Sequence, residues 1–176
     1  MAKHRKDGHA RAGSAATDLG LLIVRLGTGL ILATQGYTKL FGGEGKAAPE
    51  LLGRLLGKNF REAMPNGGPA RFALALERMG IPFPRLAARL AGLSETFAGL
   101  ALAVGLLTRL AAPLVLVSMG VAIFRVHWAN GAHGPTGYGF AGAIFSGALA
   151  VLVAGPGRFS LDRVLGIGGR REATPE

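Results

Sequence analysis

Four stretches of this sequence are too long and too evenly apolar to be one face of a soluble helix. Residues 19–41 read LGLLIVRLGTGLILATQGYTKLF, with Arg25 and Lys39 as their only charges. Residues 86–107 hold Arg89 and Glu95, residues 110–128 hold Arg125 and His127 near their end, and residues 138–154 hold no charge. A hydrocarbon core of about 30 Å needs roughly 20 apolar helical residues to cross it. These stretches are 23, 22, 19 and 17 residues long. A globular all-α protein would show polar residues at helical period along each, and they are missing. The pattern predicts an all-α fold, a four-transmembrane-helix bundle in the lipid bilayer, with spans at about 19–41, 86–107, 110–128 and 138–154.

Composition agrees with a membrane chain and removes several functions. Of 176 residues 49% are hydrophobic and 17% charged, against about 25% charged in soluble proteins. The net charge of +10 would suit nucleic acid, but the basic residues are scattered over tails and loop with no recognition helix, so no nucleic-acid partner is expected. The absence of cysteine excludes disulfides, thiolate metal sites and cysteine-ligated iron–sulfur clusters. No phosphate-binding glycine loop, zinc-protease helix or nucleophile elbow is present, and no metal site is expected. A cleaved signal peptide is disfavoured because Arg25 interrupts the first apolar run and no small-residue cleavage motif follows it.

The remaining segments divide the chain into a basic, disordered cytoplasmic tail (1–17), a membrane domain (18–165) and a C-terminal tail (166–176). Thr17 or Asp18 is placed to cap the first helix. His4 and His9, in the basic tail, read as solvated residues and not as metal ligands. The connection between the first two spans is amphipathic, with Leu51, Leu52, Leu55, Leu56 and Phe60 among basic residues and then Phe72, Leu76 and Met79 before Gly80. Both pieces suit the membrane surface or a cap on the bundle. Nine basic residues lie on the side of the tails and seven in the long connection. The positive-inside rule then puts a multi-pass protein in the cell membrane with both termini cytoplasmic. Small residues recur every fourth position at Gly142, Ser146, Ala150 and Ala154, and at Ala88, Gly92 and Thr96, followed by Gly99 and Ala103, a pattern that lets helices approach closely.

Ionisable residues inside spans are costly and mark function or a structural pair. Helical rise places Arg25 about 10 Å from one membrane face and Glu95 about 14 Å from the other, a vertical gap of about 5 Å that an arginine side chain can bridge. An Arg25–Glu95 pair is therefore expected. Gln35, Lys39, Arg125 and His127 gather toward the opposite face, where the ring of His127 can donate or accept a proton. Positive charge exceeds the single acid Glu95, which points to a polar cavity for an anion, a lipid headgroup or a quinone carbonyl. The candidate polar site is Arg25, Gln35, Lys39, Glu95, Arg125 and His127.

An arginine early in the first span, QGYTKLFG at its end, GIPFPRLAARLAGLSETFAGLALAVGLLTRLAA around Glu95, a histidine closing the third span and GPGRFSLD after the fourth together resemble the DoxX family of small four-helix membrane proteins. The resemblance covers roughly residues 18–165. It implies that Arg25, Gln35, Lys39, Glu95 and His127 occupy the family's characteristic polar positions. It also implies a membrane subunit in a redox-linked process, at most part of a quinone-linked oxidoreductase, with quinone as ligand and a redox protein as partner. A small-solute carrier and a structural partner protein without activity are the rivals. One departure stands out: relatives often carry Glu at the head of the fourth span, where this chain has Gly139.

Overall fold

The computed structural model describes residues 2–167, with side chains from Ala15 onward. Lys3, Arg5, Lys6, Arg11, His4 and His9, and the C-terminal Arg170 and Arg171, lie outside the described side chains. Helices account for the regular structure, with no strand among the described residues. Helix α1 is Ala2–Phe41, and its apolar part is Ala15–Phe41. The helix thus continues back through the basic stretch read as a disordered tail. Asp18 sits inside it and does not cap it; its carboxylate accepts the Arg158 backbone N–H at 2.9 Å.

The long connection folds as α2, Glu50–Ala63, broken at Gly57 by a left-handed φ of 80°, and α3, Pro69–Arg78. Each turns part of its apolar face inward: Phe60 on α2, with Ala73 and Leu76 on α3, is buried. Helix α4 is Pro84–Val104 and α5 is Thr108–Asn130. They are joined at Gly105, whose φ of 69° reverses the chain. Helix α6 is Gly139–Ala154, and a short α7, Leu161–Val164, follows. The apolar part of α1, with α4 and α5, is long and apolar enough to cross a membrane; α6 is equally apolar but has 16 residues, about 24 Å of helix.

The core runs along the centre of the bundle, where Leu32, Leu102, Ala112, Val115, Ala148 and Val151 are almost wholly enclosed. Without a hydrophobic drive between helices in lipid, close packing at small residues holds such a bundle together. A Cβ on Gly36 would overlap the backbone of Thr96, one on Gly99 would come within 2.9 Å of the Ala33 nitrogen, and one on Gly29 within 2.6 Å of the Ala103 nitrogen. These three contacts set the register of α1 against antiparallel α4. The small-residue row of α4 is therefore used. The row on α6 is not: Ser146, Ala150 and Ala154 are exposed, and Gly142 has open space where a Cβ would be. Helix α6 turns its neighbouring face inward, burying Ala141, Ile144, Ala148 and Val151, with Gly147 against the Thr28 side chain. Every face of this helix is apolar, so spacing alone could not say which one packs.

Candidate functional site

Register decides the partner of Glu95. With Gly36 beside Thr96 and Gly29 beside Ala103, Arg25 lies level with the Gly105 turn, about 18 Å along the bundle from Glu95. The expected Arg25–Glu95 pair does not form. Lys39, one turn beyond Gly36, reaches Glu95 instead, and its Nζ donates to both carboxylate oxygens at 2.7 and 2.6 Å. Depths counted from the ends of the spans put each end at a membrane face, whereas the glycine contacts slide α1 along α4.

Glu95 is 3% exposed, and a buried carboxylate is tolerated only when paired and hydrogen-bonded. Lys39 supplies both bonds and also lies 4.9 Å over the Phe72 ring of α3. The pair is held where α4 opens into a π-helical turn, Ser94–Ala98. A second π-helical turn, Ala122–His127, lies in α5. Such turns re-aim side chains and recur at functional sites. Between them is a cavity of about 600 Å³ bordered by Lys39, Ser94, Glu95, Ser118 and His127 on an otherwise apolar wall.

His127 is oriented from outside the cavity. Its Nδ1 lies 2.8 Å from the Thr136 carbonyl oxygen, which also accepts from Asn130 Nδ2 at 3.1 Å. A carbonyl can only accept, so in the neutral ring Nδ1 carries the proton and Nε2 is left as an acceptor. Ser94 Oγ is buried without a hydrogen-bond partner. A buried hydroxyl without a partner costs free energy and is available to a ligand. Sequence reasoning missed Ser94 and Ser118 because it followed charge. The signal was present in Ser94, which directly precedes the one acid inside a span.

The other candidates lie elsewhere. Gln35 and Arg125 are exposed. Arg25 is fully buried beneath the GPGRFSLD segment, where its Nη2 donates to the Phe159 carbonyl and Asp162 counters its charge. Asp162 in turn accepts the backbone N–H groups of Leu107 and Thr108 at 2.6 and 2.8 Å, and its own N–H donates to the Gly105 carbonyl at 2.8 Å. Arg25 and Asp162 thus clamp the α4–α5 turn to the C-terminal segment. Charge counting over spans alone missed Asp162 because it sits in the short α7, beyond the last span, in a segment that folds back under the bundle. Gly139 also finds its reason: its N–H donates to the Ala132 carbonyl at 3.1 Å, and a Cβ there would overlap that oxygen. A glutamate at this position does not fit the loop as folded here.

Comparison with known proteins agrees with this architecture. The DoxX family model matches residues 20–128. An uncharacterized membrane protein of Mycobacterium tuberculosis is 39% identical over 109 residues, 56% of this chain and 64% of the relative. The chain thus spans just under two thirds of that relative's length. No solved structure matches. The matched region contains Lys39, Glu95 and His127, with both π-helical turns, and the chain belongs to the DoxX family of membrane proteins.

Proposed function

We propose that this protein is a four-span subunit of the cell membrane, with both termini cytoplasmic, that binds a quinone in a redox-linked process. The observation carrying the proposal is the cavity itself: an apolar chamber of about 600 Å³ with Lys39, Ser94, Glu95 and His127 converging on it. Ligand sites have this character, a largely apolar wall with a few placed polar groups. Within it the charge of Lys39 is matched by Glu95, and Arg25 and Arg125 lie outside the lining. A neutral head with carbonyl oxygens fits this balance better than an anion does.

The residues present suit such a group. The unpartnered Ser94 hydroxyl and the Lys39 ammonium can donate to carbonyl oxygens. His127 Nε2, fixed by the bond at Nδ1, can accept a proton from a hydroxyl or return one. Ser118 offers a further hydroxyl on the facing helix. A quinone would supply two-electron redox chemistry; the chain supplies orientation, a dry wall and a proton-exchanging histidine. With no cysteine in the chain, the electrons would come from a redox protein partner.

Trp128 is the only tryptophan and directly follows His127, so its fluorescence reports on occupancy. In nanodiscs, 2-methyl-1,4-naphthoquinone is expected to quench it saturably. Replacing Ser94 by Val should weaken the apparent affinity about tenfold, the cost of one good hydrogen bond. Quenching that never saturates, or is indifferent to Ser94→Val, rejects the quinone reading.

A further inference from the structure

The cavity has a shape that bears on how it is filled. At the end nearest Asn130 it is covered by α3 and the turn after it, through Phe72, Leu76 and Ile81. Leu76 is buried in its own apolar cluster with Ala73 and Ala88, so this cover is packed onto the bundle. The side walls differ. Leu90 of α4 and Leu114, Val117 and Val121 of α5 line the cavity and are also exposed on the bundle's outer surface, Val117 by 67% and Leu90 by 56%.

Those four residues sit at membrane depth. Leu90 is about 9 Å along the helix from Pro84, and Val117 is about 14 Å from Thr108 and about 20 Å from Asn130. A surface at that depth faces hydrocarbon. The cavity is therefore capped toward water by apolar side chains and open toward lipid between α4 and α5, with its polar groups set at the inner end of the opening.

We infer that the cavity is filled sideways from the bilayer, by an amphiphile whose compact head reaches Ser94 and the Lys39–Glu95 pair while its apolar chain runs out between Leu90 and Val117. The inference rests on the quinone-site reading for the nature of the head and goes beyond it in naming the route and the need for a chain. It opposes carriage of a water-soluble solute through this cavity, because such a solute would have to cross the apolar cover formed by Phe72, Leu76 and Ile81.

Two measurements test it. Because the chain has no cysteine, Ser118→Cys and Asn66→Cys give single spin-label sites without further engineering. Collision rates with oxygen, which concentrates in lipid, and with a water-soluble nickel chelate then report which phase reaches each. Oxygen should dominate at position 118 and the chelate at position 66; chelate dominance at 118 overturns the inference. The second measurement compares 2-methyl-1,4-naphthoquinone with the same head bearing two isoprene units. Leu90→Phe with Val117→Phe narrows the opening. The prenylated compound should lose about tenfold in affinity and the bare head less than about twofold. Equal losses, or none, overturn the lateral route. If neither compound binds the unmodified protein while oxygen still dominates at position 118, the quinone reading fails and access from the bilayer stands.

Discussion

Removing Lys39 should damage this protein far more than removing Glu95, although the two residues form one ion pair. The asymmetry comes from burial. Glu95 is 3% exposed and Lys39 supplies both of its hydrogen bonds, whereas the lysine side chain is 30% exposed and has the Phe72 ring as a second neighbour. In Lys39→Met an unpaired carboxyl stays enclosed, a change that costs about 3–5 kcal/mol when a buried pair is broken. In Glu95→Leu the ammonium keeps its ring contact and its partial exposure, at a cost of about 1–2 kcal/mol. The double variant replaces the pair by apolar groups of similar volume and should recover most of the loss, to within about 1 kcal/mol of the unmodified protein. For a chain of this size the Lys39→Met cost corresponds to a drop in melting temperature on the order of 10 °C. Thermal unfolding of the four proteins in the same nanodiscs, followed by Trp128 fluorescence, completes the cycle. If Glu95→Leu is as harmful as Lys39→Met, or if the double variant is worse than either single one, the reasoning from burial is wrong.

Three further outcomes follow from the packing. Gly36→Leu should separate α1 from α4 and abolish a folded monodisperse protein, whereas Gly142→Leu, with open space around it, should leave size-exclusion profile and melting temperature unchanged. Gly105→Ala should cost about 3 kcal/mol or more in thermal unfolding, since a Cβ would overlap the Arg25 guanidinium, a misfit added to the left-handed strain. Gly80→Ala, at a similar φ of 68° in the turn that ends α3 and with nothing nearby, should cost only about 1–2 kcal/mol. Reporter fusions at Asn66 and at the C-terminus should mark opposite sides of the membrane, as four spans require; agreement between them would show that α6 does not cross.

Much of the fold could be read from local chemistry. Long apolar runs announce helices in a bilayer because an unpaired backbone group in hydrocarbon is prohibitive and a helix satisfies all of its own. Lys39, Glu95 and His127 were likewise visible one at a time, since an ionisable group inside a span is rare. Which basic residue would pair with Glu95 was not. Arg25 and Lys39 are both basic residues of the first helix, and either could have met Glu95 until Gly36, Gly29 and Gly99 set how far α1 slides along α4. The row of small residues on α6 looked as capable of packing as that on α4, and only the neighbours decided which face turned inward.

The sequence by itself therefore determined the class of the molecule, an all-α protein of the membrane, because hydropathy and helical period are properties of consecutive residues. The tertiary structure decided the pairing. It gave Glu95 to Lys39, put Arg25 with Asp162 under the C-terminal segment, and brought Ser94 and His127 to one cavity while leaving Gln35 and Arg125 outside it. Those outcomes depend on helix register, which is set by contacts between residues tens of positions apart, where no local pattern reaches.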